Sequence, residues 1–200
     1  MDKLMRLVVA AVFGIVVIGC SATAKKMTIE SRTERTDVFK EVTGGDPIPT
    51  GYGDVVIRGN IKTHLGGYYI GESKESVHGK ESYPFLVNID GQAALWSVPG
   101  VRDSKPAYDK DGKTSRDPEA REGMKYILEK KIRLAAGSHK VFFGLPADNY
   151  FIEADITVQN GETTVIEYKP VYRYKTMPTR IPTFLKGFSR YEIYLNGNKS

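Results

Sequence analysis

The sequence predicts an all-β domain, an antiparallel β-sandwich, and two observations support this prediction. After residue 50, apolar and polar residues alternate in short runs, which is the two-residue period of half-buried strands. Dipeptides that accept a positive φ separate some of these runs, most clearly Asp90-Gly91 and Asn160-Gly161. Helical periodicity is absent beyond the apolar N-terminal segment. Many short strands joined by such turns are typical of an antiparallel sandwich or barrel, and we predict the sandwich.

Alternation defines each strand in turn. In the first, Val55, Ile57 and Ile61 share one face and Arg58 lies on the other. The two turn dipeptides are each expected to close a hairpin between the strands that flank them. A weaker strand candidate lies near 36–42. The other predicted strands cover residues 55–63, 83–89, 92–98, 126–134, 139–143, 151–158, 164–174 and 191–195.

Residues 99–123 interrupt this rhythm as a long polar insertion. The segment holds six basic and six acidic residues, so its net charge is zero. Asp117 as N-cap, Pro118 at the first helical position and Gly123 as terminator predict a short helix near 117–122. Loops of this length tend to be functional or disordered.

The N-terminal segment has the features of an export signal. Lys3 and Arg6 precede an apolar run from Leu7 to Ile18. About a dozen apolar residues are too few for a membrane-spanning helix, which needs ~20. The length and the flanking charges fit a secretory signal peptide, and a short membrane helix or a buried helix is the less favoured alternative.

The run ends in Val17-Ile18-Gly19-Cys20, which resembles the lipobox of bacterial lipoproteins. The resemblance implies that residues 1–19 are removed and that Cys20 becomes an acylated first residue, which anchors the chain stably in a membrane. Ser21 after the cysteine implies sorting to the outer membrane. Polar residues 20–50 are then expected to form a flexible tether, and residues 51–200 a single domain.

Cys20 is the only cysteine, which removes several classes of function. A single thiol that carries lipid leaves no disulfide, no cysteine nucleophile and no thiolate metal site. The chain carries 29 basic and 24 acidic residues, a formal net charge of +5. This mild basicity suits an anionic membrane surface. Nucleic acid is not an expected partner because the exported compartment lacks it.

Three segments of the predicted domain resemble the PEGA domain and related surface modules. They are Val87–Gly91 (VNIDG), Lys131–Val141 (KIRLAAGSHKV) and Ile156–Gly161 (ITVQNG). The resemblance covers roughly 83–170 and implies an Ig-like or prealbumin-like sandwich with no fixed function. The sequence departs from the pattern because it lacks Pro-Glu-Gly-Ala and because it contains the 99–123 insertion.

No catalytic or metal-binding motif is evident. His64, His78 and His139 show no pair at a usual ligand spacing, so we predict no metal site and no cofactor. His78 shares a loop with Ser73 and Ser76, but nothing there resembles a nucleophile motif. The run Asp109-x-Asp111-Gly112 faintly resembles a calcium loop, and a polar turn is the favoured interpretation, with calcium as the alternative.

The strongest candidate for binding is the basic and aromatic tail, residues 168–191, which contains no acidic residue. Contact with an anionic glycan, an anionic lipid or an acidic partner is one interpretation. A solvated strand face that discourages edge pairing is the favoured alternative. Trp96, the only tryptophan, could join Tyr68, Tyr69, Tyr83 and Tyr108 in a sugar platform, although a core position is preferred. The basic candidates are Lys169, Arg173, Lys175, Arg180, Lys186 and Arg190.

These observations predict a non-catalytic lipoprotein anchored in the outer membrane through Cys20. Its expected role is that of an interaction or structural module of the cell envelope, with an envelope protein or an anionic glycan as partner. The alternative is a carbohydrate-binding or small-ligand-binding protein that uses Trp96 and the insertion.

Overall fold

A computed structural model describes residues 22–173 and 183–200. The predicted signal peptide, the lipid site Cys20, and the tail residues Lys175 and Arg180 lie outside the described residues. Within the described ranges, no helix has the length and apolar character needed to cross a membrane.

The described chain is mostly β, as predicted. A helix covers residues 22–30, and two short 3-10 turns cover Pro146–Asp148 and Thr183–Lys186. The strands are β1 Phe39–Glu41, β2 Tyr52–Thr63, β3 Ser82–Ile89, β4 Gln92–Lys105, β5 Arg121–Ala135, β6 Gly137–Leu145, β7 Tyr150–Val158, β8 Thr163–Tyr172, β9 Phe188–Leu195 and β10 Asn198–Lys199.

The strands form one strongly curled sheet in the order β10-β9-β8-β2-β5-β4-β3-β6-β7, and β1 adds to β5. Strand β4 makes the curl because its two ends have different partners. Its residues 92–99 pair with β3, and its residues 100–105 pair with β5. Gly100 lies at this change of partner, where a Cβ atom would come within 2.7 Å of the Tyr126 ring. The glycine therefore permits the close approach of two strands at the bend.

The core lies between the two halves of the curled sheet. The ring of Phe143 on β6 stacks on that of Tyr168 on β8, with centroids 3.8 Å apart. Gly59 of β2 faces this pair, and a Cβ there would lie 2.9 Å from Phe143 Cζ. Rings from distant strands thus fill the space that the curl encloses.

The hairpin at Asp90-Gly91 is confirmed, and the one at Asn160-Gly161 is wrong. Asp90 and Gly91 adopt positive φ between paired β3 and β4. At the second turn, β7 pairs with β6, whereas β8 pairs in parallel with β2 and antiparallel with β9. The prediction of a fully antiparallel fold is therefore wrong at the β2–β8 pair. Asn160 Oδ1 accepts from the backbone N–H of Gly51 at 2.7 Å. This turn therefore carries the chain from one half of the sheet to the other. Its Asn160 side chain is bonded to the backbone just before β2.

The predicted helix near 117–122 is also wrong, and the insertion is shorter than expected. Strand β4 continues to Lys105 and β5 begins at Arg121, so only residues 106–120 form a loop. Asp117 Oδ1 accepts from the backbone N–H of Glu119 at 2.8 Å, and Ala120 N–H donates to Asp117 O at 3.0 Å. Asp117 thus caps a single turn that leads directly into a strand.

Much of the predicted tether packs against the sheet. In the helix 22–30, which the sequence did not predict, Met27 is buried against Leu86 and Phe142. Asn88 Nδ2 donates to Glu30 O at 2.9 Å. Further along, β1 pairs with β5. The described part of the segment differs from a free tether because apolar side chains that look isolated in the sequence find apolar strands.

Candidate functional site

The basic residues of the tail that the structure describes do not form one continuous cationic face. Lys169 Nζ lies 3.4 Å from Glu167, and Arg190 lies 3.5 Å from Glu192. These two acids flank the 168–191 window in sequence, and strand pairing brings them onto the same sheet face. The positive charge of this surface is therefore offset by local carboxylates.

The other two basic residues of the tail that the structure describes, Arg173 and Lys186, lie in different parts of the fold. Arg173 Nε donates to Phe188 O at 3.1 Å, so this guanidinium ties β8 to the start of β9. Lys186 lies in the second 3-10 turn and lines a cleft. The tail thus contributes to the cleft through residues 184–188 rather than through its strand face.

Trp96 belongs to the core and is only 7% exposed. Its indole N–H donates to Glu41 Oε1 at 2.7 Å, and Lys130 Nζ lies 5.6 Å from the ring centroid. Tyr83 is also buried. Because a sugar platform needs an open ring face, we leave both residues out of a surface binding site.

The cleft has a volume of about 440 Å³ and lies at the end of β2. Residues 61–64 form one wall, the loop residues 69–72 and 78 form a second, and residues 184–188 of the tail form a third. Asp148 reaches it from the first 3-10 turn. Phe184 N–H donates to Pro118 O at 3.1 Å, so the insertion supports the tail wall. The insertion and the tail therefore meet beside the cleft.

Lys62 lies in the cleft wall with its side chain fully buried. It belongs to the same face of β2 as the exposed Arg58, where a lysine normally reaches solvent. Here the insertion and Phe184 cover it, the latter with its ring centroid 5.0 Å from Nζ. Nζ donates to Asp103 Oδ2 at 2.6 Å and to the carbonyl oxygens of Glu119 and Arg121, both at 2.8 Å. All three ammonium protons are used.

Glu119 extends this network. Burial raises the pKa of its carboxyl, but Lys125 at 2.6 Å and Lys105 at 3.1 Å outweigh burial and leave the pKa below its usual value. Tyr172 donates to Glu119 Oε1 at 3.0 Å and accepts from Lys62 N–H at 2.8 Å. The buried charges near Lys62 are thus paired and hydrogen-bonded.

His64, two residues further along the chain than Lys62, belongs to a different cluster. His64, Glu72 and His78 each offer a ligand atom, and these atoms all lie within 4.8 Å of one another. His64 is buried, and its Nε2 lies 3.3 Å from Glu72 Oε1. Ser76 Oγ donates to the same Oε1 atom at 2.6 Å. The two serines of this loop therefore have structural partners, since Ser73 Oγ accepts from Glu75 N–H at 3.2 Å.

Asp148 supports the second histidine of the cluster. Its Oδ2 lies 3.2 Å from His78 Nε2 and also accepts from the hydroxyl of Tyr83. The hydrogen bond to Asp148 raises the pKa of His78 despite partial burial. Burial, followed by the charge of Asp148, raises the pKa of Tyr83. The arrangement fixes the His78 ring against a carboxylate.

No usual ligand spacing marks this cluster in the sequence, because seven residues separate His64 from Glu72 and five separate Glu72 from His78. The loop closes on itself: Gly79 adopts a φ of 70°, and a Cβ there would lie 2.1 Å from Gly66 N. Glycines at both ends of a loop, with His64 just before it and His78 at its end, were the available signal.

The remaining sequence candidates have structural partners. Asp109 Oδ1 accepts from the backbone N–H groups of Asp111 at 3.0 Å and Lys113 at 2.8 Å, as a polar turn requires. His139 Nδ1 lies 2.7 Å from Asp90 Oδ2, and its Nε2 lies 2.8 Å from Ala135 O. His139 thus links the β3–β4 turn to the corner between β5 and β6.

Comparison with protein-family models, with curated proteins and with solved structures finds no match for this chain.

Proposed function

We propose that this chain is a lipoprotein of the bacterial outer membrane whose β-rich domain binds a partner in the cell envelope and catalyses no reaction. The observation that carries the binding role is the meeting of three segments at one cleft. The loop after β2, the insertion and the tail come from separate parts of the chain, yet all three build or support its walls. Long loops gathered at one place on a sheet are where binding residues usually lie.

The anchor in this proposal rests on the lipobox-like sequence. Val17-Ile18-Gly19-Cys20 follows a cationic start and a short apolar run. Acylation of Cys20 with more than one chain provides stable attachment.

The cleft suits a partner that inserts a small apolar or hydrogen-bonding group. Tyr69 and Ile70 lie at its edge and are exposed, Ile70 completely. Lys186 lies at the opposite wall. A small-ligand or carbohydrate-binding protein is the second candidate, and the cleft volume favours it because ligand sites are typically about 300–1,000 Å³.

We further propose that the two halves of the curled sheet form a sandwich of the Ig-like or prealbumin-like type, related to PEGA modules. The Phe143–Tyr168 stack across the core supports this proposal. An experimental structure in which these halves are separate layers would sustain it, and a continuous barrel would refute it.

The anchor is tested by Cys20→Ser in the full chain, expressed in a bacterium that processes lipoproteins. We expect the wild type to incorporate labelled palmitate and to fractionate with the outer membrane. The variant should incorporate no label and lose this localisation. A wild-type protein that is soluble and unlabelled would refute the anchor.

The binding role is tested with a photo-crosslinking amino acid at Ile70, at the cleft edge. We expect specific adducts in living cells, identified by mass spectrometry. The matched control carries the same amino acid at Thr157, an exposed position on β7 outside the cleft. Equal labelling from both positions, or none from Ile70, would refute a partner at the cleft.

A further inference from the structure

We propose that His64, Glu72 and His78 bind one zinc ion, with Asp148 orienting His78 and with one coordination position open to the cleft. The zinc site gives a ligand class for the cleft. It rests on the proposed function only because it uses the same cavity. The zinc site depends on neither membrane anchoring nor partner binding.

The spacing of the first two ligand atoms fits a shared ion. His64 Nε2 and Glu72 Oε1 are 3.3 Å apart. Two ligands each about 2.0–2.1 Å from a tetrahedral zinc ion lie roughly 3.4 Å from one another. The ligand atom of His78 completes a set within 4.8 Å, so a side-chain adjustment of about an ångström brings all three into range.

The hydrogen bond at the other nitrogen of His64 makes Nε2 suitable as a metal ligand. Nδ1 lies 2.9 Å from Leu65 O, a carbonyl that can only accept, so Nδ1 carries a proton. In the neutral ring, Nε2 is then an acceptor, and it faces another acceptor, the Glu72 carboxylate. This pair is unfavourable unless a cation, either zinc or a second proton on the ring, lies between the two atoms. His64 is only 6% exposed, which limits screening by water.

The contact between His78 and Asp148 follows the usual support of a zinc-bound histidine. With Nε2–H donated to Asp148 Oδ2, the lone pair of Nδ1 is available to a metal. Tyr83, whose hydroxyl also donates to Asp148, fixes the carboxylate in turn. Ser76 Oγ donates to Glu72 Oε1 at 2.6 Å, and His64 Nδ1 donates to Leu65 O. The other two ligands, Glu72 and His64, are therefore each supported by a hydrogen bond.

The donor set selects among metals. Two imidazole nitrogens and one carboxylate oxygen suit zinc and other borderline metals, whereas calcium and magnesium prefer oxygen ligands. Three protein ligands leave the fourth position of a tetrahedral ion unfilled. All three residues line the cleft, so that position faces the cavity where a group from a partner or a small anion can enter.

The test is a zinc titration of the full chain, purified in detergent with a tag that contains no histidine, in competition with a chromogenic chelator. We expect one zinc per chain and no competition from calcium or magnesium. Glu72→Gln and His78→Gln should each weaken zinc binding at least ~100-fold. Asp148→Asn, which removes only the orienting carboxylate, should weaken it about 10–100-fold.

His139→Gln is the matched control, because it removes the one histidine outside the cluster, and zinc affinity should not change. Titrating Cys20→Ser as well shows whether the only thiol supplies a ligand. Circular dichroism and melting of each variant exclude unfolding as the cause of a loss. The proposal is overturned if the wild type binds no stoichiometric zinc, or if Glu72→Gln and His78→Gln retain wild-type affinity. Either result leaves crosslinking from Ile70 and lipidation of Cys20 unaffected, so the two proposals fail separately.

Discussion

Lys62 and His64 are two residues apart, both are buried and both line the cleft, yet their surroundings differ in kind. The ammonium of Lys62 has three acceptors within 2.8 Å, which equals the number of its protons. Nε2 of His64 faces the Glu72 carboxylate, and in the neutral ring this nitrogen carries no proton because Nδ1 carries it. Every donor and acceptor of the first cluster is paired within the chain, whereas in the second two acceptors face each other when the His64 ring is neutral.

This difference separates a structural use of buried charge from a binding use. A buried charge is tolerated when every donor and acceptor around it is paired, and such a network specifies a unique arrangement. In the histidine cluster, where two acceptors face each other, the rest of the fold holds the side chains in place. The Lys62 network joins the insertion to β2 two residues before His64.

The largest expected effect is that of Lys62→Met, which removes the cation from the complete cluster. The substitution leaves Asp103 and two carbonyl oxygens without their donor, and we expect the free energy of unfolding to fall by about 3–5 kcal/mol. Denaturant unfolding followed by circular dichroism measures this loss. The control is Arg58→Met on the same strand face, where the exposed ion pair with Glu129 contributes at most about 1 kcal/mol. Equal losses in the two variants would contradict the structural role of Lys62.

Acid should reveal the same pairing with a smaller effect. The hydrogen bond from Lys62 holds the pKa of Asp103 below its usual value. Because the folded pKa is the lower one, the stabilisation is complete above the unfolded value of about 3.9 and is lost as pH falls through the folded value. The stability difference between wild type and Lys62→Met should therefore narrow when unfolding is measured from about pH 6 down to about pH 3. A difference that stays constant would show that Asp103 does not depend on Lys62.

The smallest expected effect is that of Glu72→Gln in the metal-free protein, measured with a chelator present. A glutamine amide can donate to His64 Nε2 where the carboxylate cannot, and its oxygen can keep the bond from Ser76. We expect the free energy of unfolding to remain the same or to rise, by no more than about 1 kcal/mol. A loss as large as that of Lys62→Met would mean that Glu72 forms a complete ion pair with a protonated His64, as Lys62 does with Asp103.

The sequence predicted most of the strands because each has one face in the core. It missed the extension of β4 past Pro99, where the alternation weakens: Val101 is exposed and Arg102 and Asp103 carry charge. In that region Asp103 pairs with Lys62, and Lys105 pairs with Asp117 and Glu119 of the insertion. Because these contacts are polar, the apolar period that marks a strand is absent.

The candidate site was less accessible to sequence reasoning because long-range contacts create it. Lys62 continues the pattern of an exposed strand face, but Phe184 of the tail and Glu119 of the insertion lie against its ammonium group and bury it. Asp148 comes from a 3-10 turn far from His78 in sequence. No local pattern records such a meeting. The tail, by contrast, looked free of acidic residues because the window excluded Glu167 and Glu192, which flank it.

The helix 22–30 has a consequence for how the domain stands at a membrane. Met27 fixes this helix to β3 and β6, and Lys26 lies 3.1 Å from Glu153 on β7. If Cys20 carries lipid, as proposed, two residue steps separate it from Ala22, and this gap spans at most about 7 Å. The lipid would then hold the domain by a short attachment and limit its rotation. The same flank of the sheet would always face the headgroups, and the approach of any envelope partner would be restricted to the sides turned away from them.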